Sequence, residues 1–467
     1  MTDFKNTPDP LGLDAAEMRQ LGYWVVDRVV AHLEGIADEP AIQAGTPAEL
    51  RAALGGLPPQ AGSDPVEALE TLADVALAHM QHGEHPRNFA RVPGPSSFAG
   101  VLGEWLGTGF NAIAASWGGG SGPATVELVT LDWLRSLLGM PEGTEGVMTS
   151  GGSLANLTAL AAARASEGPG VCYLSDQTHA SIVRGLPAFG FAGDEVRVLA
   201  CDVEMKLPVD ALHATITEDK AAGRRPAFVV ATAGTTNTGA VDPLPEIADL
   251  CDSEGLWLHV DGAYGASAAL CEAGRRVLRG IERADSLVLD PHKWLFQPID
   301  AGCLFVRRPG VLKRAFHMSP DYLADVTGVD EEVDFRDRSL ELTRRARALK
   351  LWLSFRIYGV ERISSAIAHG IALAEHAERV VAGDREWEVA TPAQLGIVTF
   401  AKRGEDDNAH ASRAAALADS GHGVVTSTKV LGRPALRLCT INPRTTALDV
   451  SSVLQRLGVA VGHEPRT

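Results

Sequence analysis

The 467-residue sequence lacks the features that mark a secreted, membrane-spanning or metal-binding protein. Its six cysteines form no C-x-x-C pair and no Cys/His cluster at zinc spacing, so neither a disulfide framework nor a metal site is expected. No apolar run approaches the roughly 18 residues that span a bilayer, and no basic segment followed by an apolar stretch opens the chain. We therefore expect a cytoplasmic protein with reduced cysteines.

Positive charge is also scarce. The formal net charge of -17 would repel nucleic-acid phosphates and anionic lipid, which disfavours polyanion binding as the main function. The sequence contains neither a G-x-G-x-x-G run nor a Walker lysine, and this argues against dinucleotide and nucleoside-triphosphate sites. With 45% hydrophobic residues the chain can bury a large core, so small-molecule chemistry fits best.

The chain divides into three predicted stretches without internal repeats: 1–94, 95–338 and 339–467. In the first, residues 18–33 place apolar side chains at three- and four-residue steps, which predicts an amphipathic helix. This much apolar surface on a leading segment is expected to pack on the body of the protein or on a partner subunit.

The middle stretch alternates short β-rich runs with helical ones, the pattern of an α/β protein whose parallel sheet is covered on both faces. Several of the runs are continuously apolar, as buried parallel strands are. The predicted strands are 146–148, 171–174, 196–199, 227–231, 256–260, 286–289 and 303–306.

The last stretch predicts a long helix over residues 340–358 and strands at 397–400, 424–426 and 436–438. Helices mixed with separate strands in this way are typical of a smaller α+β domain.

The run DPHKW (290–294) places Lys293 in a loop at the end of a predicted strand, where open α/β sheets bind ligands. A buried lysine has a lowered pKa and supplies the neutral amine that attacks an aldehyde. Taken alone, Lys293 is better explained as an ordinary surface loop lysine, and only the neighbouring motifs favour a catalytic role.

Asp261 ends the apolar run 256–260, about thirty residues before Lys293. A buried carboxylate is costly unless it meets a cation, and a pyridinium nitrogen fits that need. Gly262 and Ala263 allow a flat ring to approach closely. A helix cap or a structural ion pair is the alternative for Asp261.

Three further strand ends carry polar or glycine-rich motifs. Gly152 and Ser153 begin an Ala-rich helix whose free N–H groups would hold a phosphate, although a tight turn explains the glycines as well. His179 could stack on a cofactor ring or serve a structural role. Thr236 adds a hydroxyl after another strand, with a turn cap as the alternative.

In their order along the chain, these motifs resemble the group II pyridoxal-phosphate decarboxylases, which act on aromatic amino acids, histidine, glutamate and cysteinesulfinate. The resemblance covers most of the chain. It includes the runs HPR (85–87), SGPATVEL (121–128), PDYL (320–323), ALKLW (348–352) and LRLC (436–439).

The resemblance implies an aspartate-aminotransferase-type fold (fold type I), with a mostly parallel seven-stranded sheet in the large domain and a small C-terminal α+β domain. It also implies a homodimer whose leading segments wrap the partner. Pyridoxal 5'-phosphate would be held as a Schiff base on Lys293, and Asp261 would pair with its ring nitrogen. The other implied cofactor-binding residues are Gly152, Ser153, His179, Thr236, Ala263 and His292.

Tyr322 matches the family's loop tyrosine, which protonates the substrate carbon after carbon dioxide leaves. Aldehyde-forming relatives have phenylalanine there, so Tyr322 favours amine formation. The Gly- and Asp-rich residues 324–334 would suit a mobile lid. The implied reaction is decarboxylation of an L-amino acid, with an aromatic substrate as the leading class and an acidic or aliphatic substrate or oxidative deamination as alternatives.

The sequence departs from the aromatic-specific members in the expected substrate pocket. Arg91 and Val92 replace aromatic residues after the His-Pro motif, and Ala115 replaces another aromatic before Ser116. Arg91 could bind a substrate carboxylate or a polar tail, or point to solvent. Asp290 replaces an asparagine near the phosphate, where an anion is unfavourable unless it turns away.

Overall fold

The computed structural model describes residue 9 and residues 11–191, 193–318 and 332–461. Tyr322 and residues 324–331 of the expected lid therefore lie outside the described residues. Asp334, at the end of that stretch, is buried and its Oδ1 accepts a hydrogen bond of 2.8 Å from the backbone N–H of Trp117. This end of the expected lid is fixed to the body of the protein.

The described part of the chain contains a seven-stranded sheet, here called the large sheet, with strand order β1-β7-β6-β5-β4-β2-β3. β7 runs antiparallel to β1 and β6, and the pairings among β2, β3, β4, β5 and β6 are parallel. The predicted fold class and all seven predicted strands are confirmed. The strands are β1 Glu145–Thr149, β2 Val171–Ser175, β3 Val196–Leu199, β4 Pro226–Thr232, β5 Trp257–Asp261, β6 Ser286–Leu289 and β7 Gly302–Val306.

Helices cover both faces of the large sheet, and most of its strands are buried along their whole length. Such burial explains why their sequences are continuously apolar rather than alternating. The helices are α1 Ala15–Gly35, α2 Pro47–Leu54, α3 Pro65–Thr71, α4 Phe98–Gly109, α5 Trp117–Leu137, α6 Gly152–Glu167, α7 Ala180–Ala188, α8 Val209–Ala221, α9 Leu244–Glu254, α10 Glu272–Val277, α11 Pro291–Trp294, α12 Val311–Phe316, α13 Ala348–Ala382, α14 Asp407–Asp419 and α15 Ala447–Leu457.

A second, four-stranded antiparallel sheet, the small sheet, has strand order β10-β11-β9-β8 in the described residues. Two of its predicted strands are confirmed with longer bounds, whereas the strand expected at 424–426 begins only at Thr426. The edge strand β8 was not predicted because its pairing with β9 is interrupted by register shifts on either side of Thr391, next to Pro392. The strands are β8 Trp387–Gln394, β9 Ile397–Lys402, β10 Thr426–Val430 and β11 Arg433–Cys439.

The long helix predicted to begin at residue 340 begins at Ala348 and continues, with a break at Gly359, to Ala382. Tertiary contacts hold the preceding residues out of the helix. The fully buried Arg344 pairs with Glu127 at 2.7 Å and donates to the carbonyl of Ala114 at 2.6 Å. Because these partners lie more than 200 residues away, local periodicity could not predict the helix start.

The predicted leading helix is α1, which extends the expected span at both ends. Asp14 caps it in a capping box with Glu17, the usual start signal. None of its residues is buried, and Met18 and Tyr23 are more than half exposed. The described part of this chain therefore covers the apolar side of the helix only in part.

The predicted domain boundaries at residues 94 and 338 stay predictions, although the two sheets fall on opposite sides of the second one. Among the described residues, no helix is both long enough and apolar enough to cross a bilayer.

Candidate active site

A cavity of about 380 Å³ opens at the carboxyl ends of the large-sheet strands. Parallel strands place these ends at one edge of the sheet, so the loops that follow them converge there. Eight residues predicted from sequence line the cavity together: Gly152, Ser153, His179, Thr236, Asp261, Ala263, His292 and Lys293. Tyr322 lies outside the described residues.

Lys293 sits on α11, a single helical turn that follows β6. The neighbouring Trp294 is fully buried and stacks on the ring of Tyr264, with centroids 5.2 Å apart and planes 1° from parallel. This stack fixes the turn to the cavity floor. Lys293 itself is half-buried, with 21% of its side chain exposed, and not fully buried as the sequence predicted.

Asp290 faces the lysine. Its side chain is 2% exposed, and Oδ2 lies 3.0 Å from the Nζ of Lys293 and 3.7 Å from the Nε2 of His292. Oδ1 is buried and, within the described part of the chain, has no hydrogen-bond partner. Asp290 therefore turns one oxygen toward Lys293, and the expectation that an anion here disfavours a phosphate stays a prediction.

The start of α6 packs against Asp290 and also lines the cavity. Gly151 is its N-cap and offers no side-chain hydrogen bond to the first turn, so backbone N–H groups there remain available to an anion. At Gly152 a Cβ atom would lie 2.8 Å from the Oδ2 of Asp290 and 3.0 Å from the Cβ of Ala263. Only glycine allows the helix start to approach so closely.

Burial lowers the pKa of His292, which favours the neutral imidazole. The backbone N–H of Ala301 donates to its Nδ1 at 3.1 Å, which leaves the ring proton on Nε2. His292 can therefore donate one hydrogen bond toward the cavity.

Asp261 forms the far wall at the end of β5. Its Oδ2 accepts a hydrogen bond of 3.0 Å from the amide of Asn156, and its Oδ1 accepts one of 3.1 Å from the backbone N–H of Ala263. Both donors are neutral, so the hydrogen bonds hold the carboxylate without cancelling its charge. A cationic ring nitrogen in the cavity would supply the missing positive charge.

His179 is the N-cap of α7 and is exposed to the cavity. Its Nδ1 accepts from the backbone N–H of Ser181 at 3.3 Å and lies 2.8 Å from the hydroxyl of the same serine. These contacts orient the ring and leave its proton on Nε2. His179 therefore caps α7 and also presents its ring to the cavity.

The cofactor expected from the resemblance fits these residues. The uncapped start of α6 suits a phosphate, Asp261 suits a ring cation, and Lys293 lines the same cavity. Asp290 is the one poor match, because its carboxylate touches the side of Gly152 where a phosphate would bind.

The expected substrate-pocket residues do not line this cavity in the described chain. Arg91 is exposed, and its backbone N–H donates to the Oγ1 of Thr426 at 2.9 Å. Val92 packs against the main core, and the carbonyl of Ala115 accepts from Arg336 at 2.9 Å. The segment does pass close by, since a Cβ at Gly94 would lie 2.7 Å from the carbonyl oxygen of His292.

Several lining residues received no role from the sequence. Asn156 carried a usable signal: asparagine is a poor helix former, and it interrupts a buried alanine face of α6. Gln177 lies two residues before His179, within the same motif. The remaining lining residues without an assigned role are Ser150, Gly151, Leu154, Thr232, Gly234, Tyr264 and Asp290.

Comparisons with known proteins agree with this site. The family described as "Pyridoxal-dependent decarboxylase conserved domain" matches residues 47–403. The chain is 43% identical over 460 residues to an aromatic-L-amino-acid decarboxylase of Bacillus atrophaeus, with 96% of each chain covered.

Two solved structures are similar over nearly the whole chain. Oryza sativa TDC with PLP and tryptamine superposes with a TM-score of 0.91 at 28% identity, covering 97% of this chain and 98% of that one. Rhodiola rosea 4-hydroxyphenylacetaldehyde synthase superposes with a TM-score of 0.88 at 28% identity, covering 95% and 98%.

Proposed function

Because this chain belongs to the pyridoxal-dependent decarboxylase family, we propose that it is a carboxy-lyase that converts an L-amino acid into the corresponding amine and carbon dioxide. Its cofactor is pyridoxal 5'-phosphate, and an aromatic amino acid is the leading substrate class. The observation that carries the proposal is the meeting of Lys293, Asp261, His179 and the uncapped start of α6 in one cavity.

Bound pyridoxal phosphate supplies an aldehyde for covalent attachment of amines and a ring that accepts electrons from a breaking bond. Lys293 would provide the amine that holds it through Nζ. The N–H groups at the start of α6, with Ser153 and the Nε2 of His292, would bind the phosphate. Asp261 would keep a proton on the ring nitrogen through its negative charge.

The remaining residues would orient the substrate. The exposed ring of His179 lines the cavity with a donor at Nε2, which could bind a carboxylate or stack on the cofactor. Thr236 is also exposed and lines the same cavity. Tyr322 would return a proton to the α-carbon after carbon dioxide leaves, and this role stays a prediction because the residue is outside the described part of the chain.

The substrate class rests on the relatives more than on the pocket. The Bacillus atrophaeus relative is named for aromatic amino acids. Arg91 and Ala115, which replace aromatic residues, keep acidic and aliphatic substrates as the second candidate. Oxidative deamination to an aldehyde is the third candidate, favoured by the similarity to the Rhodiola rosea aldehyde synthase and disfavoured by Tyr322.

The proposal is tested by incubating the holoenzyme with separate aromatic, acidic and aliphatic L-amino acids while oxygen uptake is recorded. Mass spectrometry should find the amine of an aromatic substrate, without aldehyde, ammonia or oxygen consumption. Lys293→Ala should lower the rate by more than about 10³-fold and abolish the visible absorption band of the bound cofactor. Lys313→Ala, which changes an exposed lysine on α12, is the matched control.

If no L-amino acid lost carbon dioxide, the proposed reaction would be wrong. Oxygen uptake with equimolar aldehyde would instead support the oxidative alternative.

The homodimer and the cytoplasmic location expected from the sequence are also proposed. The exposed apolar side chains of α1, including Met18, Tyr23 and Val30, support a helix that a second copy covers. Light scattering of the holoenzyme should give twice the mass of the 49.3 kDa chain.

A further inference from the structure

A buried chain of hydrogen bonds lies behind Asp261. We propose that His259 is a positioning residue that holds the Asp261 carboxylate through Asn156 and thereby sets its grip on the cofactor ring nitrogen. The proposal rests on the proposed function, since the ring nitrogen belongs to pyridoxal phosphate. None of the roles assigned so far uses His259.

The chemistry of the groups fixes the direction of each hydrogen bond. An ionised carboxylate only accepts, so Asn156 must present its NH₂ group to Asp261, at 3.0 Å. Its amide oxygen then faces the Nε2 of His259, at 3.0 Å, and His259 must carry its proton there. The Nε2–H of His259 thus holds the amide oxygen of Asn156 and keeps its NH₂ group toward Asp261.

The chain continues on the other side of the imidazole. With the proton on Nε2, the Nδ1 of His259 accepts from the hydroxyl of Ser286 at 2.8 Å. The indole N–H of Trp257 donates to the same serine oxygen at 2.9 Å. Every donor from Trp257 onward therefore points toward the carboxylate.

Burial makes this direction stable. The exposed fraction is 1% for Trp257, 0% for Ser286, 2% for His259 and 1% for Asn156. Water cannot replace a lost partner at such positions, so each broken hydrogen bond leaves an unsatisfied polar group. Burial also lowers the pKa of His259 to about 4, which keeps the imidazole neutral and the chain unidirectional near neutral pH.

The same amide reaches a second cavity residue. Asn156 donates its other N–H to the hydroxyl of Ser181 at 3.1 Å, and that hydroxyl lies 2.8 Å from the Nδ1 of His179. One amide therefore holds both the Asp261 carboxylate, which would pair with the ring nitrogen, and the serine that orients His179. If the amide turned over, its oxygen would face the Asp261 carboxylate and repel it.

The test compares pyridoxal phosphate with the analogue in which a C–H group replaces the ring nitrogen. A residue that acts through Asp261 affects binding only when the nitrogen is present. The wild-type and variant holoenzymes are prepared, their cofactor is removed, and the resulting apoenzymes are titrated with both compounds. His259→Leu should reduce the preference for pyridoxal phosphate by about tenfold, the order of effect expected when a buried acceptor, here the Asn156 amide oxygen, loses its donor.

Two further variants and a control make the result specific. His259→Gln places an N–H near Nε2 and should restore most of the preference. Ser286→Ala keeps the imidazole and should give a smaller loss in the same direction, and it decides the matter if His259→Leu does not fold. His410→Leu removes an equally buried histidine on α14, far from Asp261 in its hydrogen bonding, and should leave the preference unchanged.

The proposal would be overturned if His259→Leu and Ser286→Ala bound both compounds equally more weakly, or if their preference for pyridoxal phosphate were unchanged. Either outcome indicates that His259 has a purely structural role. A wild-type protein that bound neither compound would instead overturn the proposed function, and this inference with it.

Discussion

Two buried carboxylates stand at neighbouring strand ends of the large sheet and face the same cavity. Asp261 ends β5 and Asp290 follows β6, and these strands pair in parallel. Asp261 accepts hydrogen bonds from neutral donors at both oxygens. Asp290 pairs with Lys293 through one oxygen, and the other oxygen has no partner among the described residues.

The difference lies in what surrounds each group, because residue type and burial are nearly the same. Around Asp261 the protein fixes the carboxylate and leaves its charge available to a ligand cation. Around Asp290 the protein's own lysine contacts one oxygen and the other oxygen stays buried without a partner among the described residues, in the region where the phosphate is expected. The two aspartates thus have different partners: the charge of Asp261 stays available to a ligand cation, whereas Asp290 is paired with Lys293. Substitution by asparagine should therefore have opposite effects at the two positions.

Asp261→Asn should give the largest change. The amide has the shape of the carboxylate but lacks the charge that holds a proton on the ring nitrogen. The decarboxylation kcat should fall by roughly 10²–10³-fold, as when one electrostatic group is removed from an active site. Steady-state kinetics with saturating cofactor measure this. A variant that kept more than about a tenth of the wild-type kcat would contradict the role given to Asp261.

The neutral imidazole behind Asp261 predicts a pH-dependent stability. The pKa of His259 is about 4 in the fold and 6.5 for an unperturbed imidazole, so the unfolded chain binds the extra proton between these values. Its stabilising contribution is present above that window and is lost as the pH falls. From about pH 7 to pH 5 the free energy of unfolding should drop by about 2 kcal/mol from this residue.

Urea unfolding of wild type and His259→Gln at the two pH values measures that contribution. The variant should lose less stability on acidification, since glutamine does not titrate. Equal losses of unfolding free energy in the two proteins would contradict this prediction, because they would show that protonation of His259 does not destabilise the fold.

Asp290→Asn should give the smallest change, with the opposite sign to Asp261→Asn. Removing a buried anion beside Gly152 reduces repulsion of the phosphate, so the apoenzyme should bind pyridoxal phosphate about fivefold more tightly, on the order of 1 kcal/mol. Fluorescence titration gives the Kd. Weaker binding by this variant would mean that the Asp290–Lys293 pair orients the lysine for attachment, and the comparison of the two walls would need revision.

The fold was largely predictable from local patterns. The strands of the large sheet are short and mostly apolar runs, and the burial of most of them on both faces leaves a signal that needs no knowledge of their partners. β8 and the start of α13 were not predictable, because one depends on register shifts beside Pro392 and the other on the distant partners of Arg344.

Part of the site was predictable. Lys293, Asp261, His179 and Gly152 each follow a predicted strand, so the sequence predicted that they meet at one edge of the sheet. The spacing of the motifs did not predict that Arg91 and Ala115 lie outside the described cavity lining. Tyr322 keeps its predicted role without a structural description.

By itself, the sequence determined which residues end the strands and therefore which functional groups meet at the cavity, since strand burial and the shared edge of a parallel sheet are local consequences of apolar runs. Only the tertiary structure decided what those groups do for one another. Asn156, His259 and Ser286 join into one chain, and Asp290 turns to Lys293, because these contacts depend on side chains brought together from separate elements. The sequence contains no periodic pattern from which these hydrogen-bond partners could be predicted.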